Sequence, residues 1–127
     1  MGMLRLGATT IWEEFDPKKS GIEHYEMYGG KYEKSLCHAW GASPIYLLGK
    51  YALGVRPTSP AYATYEVKPN LMCFGEFEGK VPAGNGIVSV KMTKETVTVL
   101  SDIAGGTLVL GDKTYTIEKD TELTVQR

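Results

Sequence analysis

One stretch decides the fold class of this chain: Ile87-Val88-Ser89-Val90-Lys91-Met92. Apolar and polar residues alternate along it, and Val88, Val90 and Met92 occupy every second position. Side chains of a β-strand point alternately to opposite faces, so this pattern predicts a strand with one face in a core and the other in solvent. The period of two in Tyr115-Thr116-Ile117 predicts a second strand of the same kind.

Further short segments on both sides of this stretch are rich in β-branched and aromatic residues and are separated by turn-forming residues. The predicted strands are residues 62–67, 73–81, 87–92, 96–100, 107–110, 114–118 and 122–125, with turn signals such as Pro69-Asn70, Gly105-Gly106 and Gly111-Asp112 between them. Six or seven short strands at this spacing predict a mainly β fold, an antiparallel β-sandwich over residues 62–127.

The sequence changes character before the sandwich, at Arg56-Pro57-Thr58-Ser59-Pro60. Two prolines among small polar residues without periodicity are typical of a linker. We therefore place the boundary between two domains at residues 56–61. The chain is expected to divide into residues 1–55 and residues 62–127.

The first domain is expected to be helical at its two ends. Residues 1–6 resemble the last turns of a helix that Gly7 would end in the left-handed conformation. A second helix is predicted from Ser35 to about Leu53, and Pro44 requires it to kink or to restart with Ser43 as its cap. Residues 11–32 form a long loop. Apolar residues spread around the second helix predict that residues 1–55 self-associate, swap between chains or stay disordered.

Composition excludes several classes of function. With 43% hydrophobic and 23% charged residues, the composition is typical of a globular protein. The net charge is −1, and the sequence contains neither a basic stripe that would bind nucleic acid nor a polybasic run that would bind a membrane surface. No segment approaches membrane-spanning length. Cys37 and Cys73 lack metal-ligand spacing and are expected to be buried thiols. Nothing in the sequence indicates a cofactor, a metal or a cellular compartment.

Two segments contain the candidate chemistry. In the first, Trp12 precedes Glu13 and Glu14, and an indole can pack on a sugar ring or desolvate a neighbouring carboxylate so that it acts as an acid or base. Equally, Trp12 could be a core anchor and the glutamates a solvated surface. In the second segment, His38 precedes Trp40 and could be either catalytic or structural. The other histidine, His24, is expected to face solvent.

The two segments together resemble one enzyme family. Gly-Ala-Thr-Thr-Ile-Trp-Glu at 7–13, Ser-Leu-Cys-His-Ala-Trp-Gly at 35–41 and Ser-Pro-Ile-Tyr-Leu-Leu at 43–48 are similar to the C-terminal end of the bacterial α-L-rhamnosidases, glycoside hydrolase family seventy-eight. Residues 65–69 and 79–86 resemble strands of that family's C-terminal β-domain. The resemblance implies the end of an (α/α)₆ barrel followed by a β-sandwich.

The resemblance also implies roles for individual residues. These enzymes hydrolyse terminal α-L-rhamnose with inversion, which requires an acid and a base about 6.5–9.5 Å apart. Glu13, rather than Glu14, matches the general base, and His38 matches a histidine that contacts the rhamnose hydroxyls. Trp12 and Trp40 would form walls of the sugar pocket. Cys37 stands where relatives often have asparagine, so that contact is not carried over.

The family's general acid lies upstream of the matched region, and residues 1–55 cannot close six helical hairpins. The sequence therefore predicts a C-terminal fragment of an inverting α-L-rhamnosidase, which contains the base and lacks the acid, so that the isolated chain is inactive. The alternative is a free-standing carbohydrate-binding or structural β-sandwich without catalysis, with its N-terminal helix as a dimerisation arm.

Overall fold

A computed structural model describes residues 2–127 and divides the chain into two compact units, the first ending at Ile45 and the second running from Tyr46 to Arg127. This division lies upstream of the boundary expected at residues 56–61. Within residues 2–127, none of the helices has the length and apolar character needed to span a membrane.

The second unit is mainly β and contains eight strands in two sheets. The strands are β1 (Val55–Pro57), β2 (Tyr65–Val67), β3 (Phe77–Ala83), β4 (Gly86–Met92), β5 (Thr96–Ser101), β6 (Gly106–Leu110), β7 (Lys113–Ile117) and β8 (Leu123–Gln126). One sheet has the order β1-β2-β6-β7 and the other has the order β3-β4-β5-β8. The predicted mainly β sandwich, preceded by short helical segments, is confirmed.

One pair of neighbouring strands departs from the antiparallel pattern. β2 and β6 are parallel, with Tyr65 opposite Gly106 and Val67 opposite Leu108, whereas all other pairs are antiparallel. Parallel neighbours need a long connection, and here the chain builds β3, β4 and β5 of the other sheet before it returns as β6.

The core of the second unit consists of the inward-facing residues of both sheets. Val88, Val90 and Met92 alternate along β4, as their spacing predicts, and face Ser101, Val99 and Val97 of β5 in register. The other sheet contributes the fully buried side chains of Tyr65, Val67, Leu108 and Ile117. Full burial of an aliphatic side chain of this size stabilises a fold by about 1.5–3 kcal/mol.

The N-terminal edge of the sandwich differs from its prediction. Arg56 and Pro57 of the expected linker lie in β1, and Pro60 begins a short 3-10 turn, Pro60–Tyr62. Proline is compatible with β1 because this strand lies at a sheet edge, where one row of backbone N–H groups has no strand to pair with.

The strand predicted at residues 73–81 begins later than expected, as β3 (Phe77–Ala83). Residues 73–76 lie outside β3, because the chain turns there with Met72 at a φ of 52° and with the N–H of Phe74 bonded to the carbonyl of Leu71. The two cysteines also differ from prediction, since Cys37 and Cys73 are exposed rather than buried.

The first unit begins with α1 (Gly2–Arg5), which ends as predicted at Gly7. Gly7 has a φ of 81°, its N–H bonds to the carbonyl of Leu4, and the N–H of Ala8 bonds to the carbonyl of Met3. These two bonds form a Schellman motif, which satisfies the last carbonyls of the helix.

The second predicted helix begins later than expected and is not uniform. Residues 35–38 are not helical, and a 3-10 turn, Ala39–Ala42, leads into α2 (Ser43–Leu47), which a π-helical turn, Leu48–Ala52, follows. α2 opens at Ser43-Pro44, but Ser43 is not its cap as predicted, because its backbone is helical and its hydroxyl donates to the carbonyl of Trp40 in the preceding 3-10 turn, at 2.5 Å. Gly54, at a φ of 75°, follows the helical run, as predicted.

Candidate functional site

Two irregular segments of the first unit, residues 11–13 and 35–38, are joined by backbone hydrogen bonds, which bring Glu13 close to His38. The N–H of Glu13 donates to the carbonyl of Ser35 at 2.9 Å, and the N–H of His38 donates to the carbonyl of Ile11 at 2.8 Å. Gly41 permits this close approach, since a Cβ there would lie 2.9 Å from the carbonyl oxygen of Trp12. The pairing explains why Ser35 caps no helix: its backbone is bonded to residue 13.

The carboxylate of Glu13 is held from several sides. Its side chain is only 5% exposed. Oε1 accepts a hydrogen bond from the hydroxyl of Tyr28 at 2.5 Å, and Oε2 accepts one from the N–H of Ser35 at 3.2 Å. The Nδ1 atom of His38 lies 3.9 Å from the same Oε2. Glu13 and His38, predicted from separate segments, therefore lie in one site.

The pKa of Glu13 is lowered from its ordinary value of 4.5. The hydrogen bond from Tyr28 is the largest cause, burial opposes it, and the N–H of Ser35 and the charges of His38 and Lys34 add to the lowering. The expectation that desolvation beside an indole would favour the protonated form is therefore wrong, because hydrogen bonds to the charged form outweigh burial. Glu13 is a carboxylate across the neutral range.

Tyr28 reaches Glu13 from the tip of a tight turn. Met27 and Gly30 exchange two backbone hydrogen bonds, of 3.2 and 3.0 Å, around Tyr28 and Gly29. Tyr28 has a φ of 55°, a conformation that is uncommon for a bulky residue and that clusters at functional sites when its surroundings enforce it. The same hydrogen bond raises the pKa of the Tyr28 hydroxyl, because ionisation would place two negative charges together.

The two tryptophans have opposite environments. Trp12 is 4% exposed and its ring lies 5.5 Å from that of Tyr25, so it anchors the interior of the unit and offers no open face to a sugar, contrary to the expected role as a pocket wall. Trp40 is 62% exposed, and its ring centroid lies 4.2 Å from that of His38. Of the two predicted aromatic walls, only Trp40 presents an accessible face beside His38.

Glu14 differs from Glu13 although it is the next residue. Its side chain is 42% exposed, and its two oxygens lie 3.6 Å from the Nζ atom of Lys19 and 3.8 Å from that of Lys34. The ammonium of Lys34 is buried and makes no hydrogen bond within residues 2–127. Glu14 therefore serves as a counter-ion to lysines, and the local geometry separates the roles of the two neighbouring glutamates.

His24 corrects another expectation. It is buried rather than solvent-facing, and its ring stacks on Phe15 at a centroid distance of 5.6 Å and an interplanar angle of 4°. This contact makes it a packing residue. In the described part of the chain, no group of three or more His, Cys, Asp and Glu side chains is arranged to hold a metal ion.

Sequence reasoning missed Tyr28 and Lys34. The signal for Tyr28 was the Gly29-Gly30 pair that follows it, because two glycines after an aromatic residue predict a tight turn that projects its side chain. For Lys34 the sequence offers no signal, since nothing local distinguishes it from the exposed lysines of the same loop.

Comparisons with known proteins add little. No protein-family model matches the sequence, and no curated protein is significantly similar to it. A solved structure described as "Putative kojibiose phosphorylase from human microbiome" is similar over 68% of this chain and 11% of its own, with 14% sequence identity and a TM-score of 0.48. The matched region is thus a small part of that protein. At this TM-score the similarity carries no argument about function.

Proposed function

We propose that this chain is the C-terminal part of an inverting α-L-rhamnosidase, which hydrolyses terminal α-L-rhamnosyl residues from glycosides. In this proposal Glu13 is the general base, His38 contacts the sugar hydroxyls, and Trp40 forms a wall of the pocket. The general acid of such enzymes lies outside the region that this chain matches. Trp12 acts indirectly, by fixing the backbone that carries Glu13.

The observation that supports the proposal is the convergence of Glu13 and His38, whose Oε2 and Nδ1 atoms lie 3.9 Å apart although 25 positions separate the two residues. A general base must be ionised before it can take a proton from water, and Glu13 is ionised at neutral pH, although its lowered pKa makes it a weaker base than an ordinary glutamate. The exposed ring of Trp40 adds an apolar face, which packs on the C–H face of a sugar.

The proposal is tested by titrating the chain with L-rhamnose and following backbone amide shifts by NMR. We expect shifts at residues 13, 38 and 40. Glu13→Gln should weaken binding by about 10- to 100-fold, because a hydrogen bond to a charged group is worth about 1.5–3 kcal/mol. Glu14→Gln is the matched control, since its carboxylate contacts lysines instead of His38, and it should leave affinity within about twofold.

The proposal also predicts that the isolated chain does not turn over an aryl α-L-rhamnoside. Removal of one partner of an acid–base pair typically lowers a rate by about 10²–10⁴-fold. Two results would contradict the assignment. One is equal loss of binding in Glu13→Gln and Glu14→Gln, and the other is turnover of the aryl rhamnoside by the chain alone.

A further inference from the structure

A second candidate site lies within the sandwich and is independent of Glu13 and His38. One end of the second unit holds a cavity of about 560 Å³. Four loops converge on it, namely residues 61–63, the β3–β4 turn at Gly84-Asn85, residues 102–104 after β5, and the β7–β8 turn at Lys119-Asp120. Its volume falls within the range of about 300–1,000 Å³ that is typical of small-molecule sites.

Ile103, which lines this cavity, is held by a hydrogen-bonded network. The buried hydroxyl of Tyr65 donates to the Oγ atom of Ser101 at 2.7 Å, and Ser101 in turn bonds to both the carbonyl and the N–H of Ile103, at 3.0 and 3.2 Å. Burial raises the pKa of Tyr65, so its hydroxyl stays protonated as a donor. Precise sites require such support beneath the residues that touch the ligand.

The same network positions the polar groups of the rim. The Oδ1 atom of Asp102 accepts the N–H of Ile87 at 2.6 Å, which fixes the carboxylate at the mouth of the cavity. The N–H of Asp120 donates to the carbonyl of Ser101 at 2.7 Å. Residues 102–104 are thereby tied to β4 and the β7–β8 turn to β5, two neighbouring strands of one sheet.

Tyr62, the aromatic residue that lines the cavity, is also held in place by its loop. Ala61 and Tyr62 are consecutive left-handed residues, with φ values of 54° and 59°. Their loop is closed by the hydroxyl of Ser59, which accepts the N–H of Thr64 at 2.7 Å. Two adjacent non-glycine residues at positive φ are costly, and such strain is concentrated where a ligand is clamped. The result is that Tyr62 lines the cavity.

The chemistry of the lining selects a class of ligand. An aromatic ring, the amide of Asn85, the carboxylates of Asp102 and Asp120 and the ammonium of Lys119 offer both donors and acceptors with little excess charge. Two carboxylates beside one ammonium give the lining a net negative charge, which disfavours the binding of phosphate or another anion. A lining of mostly polar groups does not suit an apolar ligand. We propose that this cavity binds a neutral carbohydrate of one or two rings, with Tyr62 packing on the sugar ring.

The test is NMR titration of the full chain with D-glucose, L-rhamnose and maltose. We expect at least one of these sugars to shift the amides of residues 61–63, 85 and 102–104. Tyr62→Ala and Asn85→Ala should each weaken that binding about tenfold, which corresponds to the loss of a stacked ring or of a buried hydrogen-bonded pair. Because Asn85 lies in an exposed turn, its replacement keeps the proposal testable if Tyr62→Ala unfolds.

Tyr115→Ala is the matched control, since Tyr115 is also a partly buried tyrosine of the sandwich but lines a different surface. It should leave sugar binding unchanged. Absence of shifts at the cavity with all three sugars overturns the proposal, as does binding that Tyr62→Ala and Asn85→Ala leave intact. Because shifts at residues 13 and 38 report the first site, failure of one proposal is distinguishable from failure of the other.

Discussion

Two consecutive carboxylates of this chain show how strongly a few contacts decide the role of a residue. Glu13 has a nearly inaccessible side chain bonded to a tyrosine hydroxyl and a backbone N–H, whereas Glu14 is open to solvent beside two lysines. Only the first has the fixed geometry that acid–base chemistry requires.

At the scale of single residues, Tyr28→Phe is predicted to raise the pKa of Glu13 towards its ordinary value of 4.5, because the hydroxyl is the largest cause of the lowering. A carboxylate whose pKa is lowered on folding stabilises the folded state above the unfolded pKa, and this stabilisation is lost as the pH falls through the folded pKa. The stability difference between the wild type and Tyr28→Phe should therefore be full at neutral pH and should shrink below about pH 4.5.

The measurement is an NMR titration of the Glu13 carboxyl carbon, together with urea unfolding at several pH values. Tyr32→Phe is the control, because Tyr32 is an equally exposed tyrosine of the same loop and also has a positive φ, of 62°. It should leave the pKa of Glu13 at its wild-type value. An unchanged pKa in Tyr28→Phe would show that the hydroxyl does not control this carboxylate.

At the scale of elements, local pattern predicted the structure where one face of a segment is buried. The alternation of Val88, Val90 and Met92 located β4 and its inward face. The sequence pattern did not predict β1, because Arg56-Pro57 has the composition of a linker. This strand lies at the edge of its sheet and pairs only with β2. It also failed at residues 35–38, whose backbone partners lie more than twenty residues away.

The candidate site was predictable to a similar extent. Glu13, His38 and Trp40 were proposed from motifs, and the structure brings them together. For Trp12 the sequence left a core anchor and a pocket wall both open, because its contact with Tyr25 follows from no local period. The hydroxyl of Tyr28 was missed because its contact requires a left-handed residue in a loop, a conformation that side-chain patterns do not report.

Glycines at positive φ allow the next prediction at this scale. Gly54 lies between the helical run and β1 at a φ of 75°, and a Cβ there would overlap the backbone of Lys68 and lie 2.7 Å from the nitrogen of Pro69. Gly111, in the β6–β7 turn, has a φ of 59° but open space around the same position. Gly111→Ala should therefore cost about 1–2 kcal/mol of unfolding free energy, the conformational penalty alone. Gly54→Ala should cost more, about 3 kcal/mol or above, because the backbone at residues 54 and 68 must also move apart to make room for the methyl group.

Urea unfolding followed by circular dichroism measures both values. The difference between the two variants isolates the steric overlap, since each replaces a left-handed glycine with the same residue. Equal destabilisation would show that the approach of residues 54 and 68 is not a constraint on the sandwich edge.

At the scale of the whole molecule, exposed apolar surface is unevenly distributed along the chain. Most large apolar side chains that are exposed in residues 2–127 precede residue 52, and they include Leu4, Trp40, Ile45, Tyr46 and Tyr51. The sandwich, in contrast, buries the inward face of almost every strand. Exposed apolar side chains in this number favour association, and we propose that residues 1–55 mediate contact with a second copy of the chain.

The proposal predicts that size-exclusion chromatography with light scattering gives a mass above that of one chain. Ile45→Lys should shift the mass to that of one chain, because Ile45 is 72% exposed and a buried ammonium strongly opposes an apolar interface. Ile87→Lys is the matched control, since Ile87 is an exposed isoleucine of β4 in the sandwich, and it should leave the mass of the assembly unchanged. A wild-type mass equal to that of one chain would contradict the proposal, and so would equal dissociation by both variants, since the contact would then not be confined to the N-terminal segment.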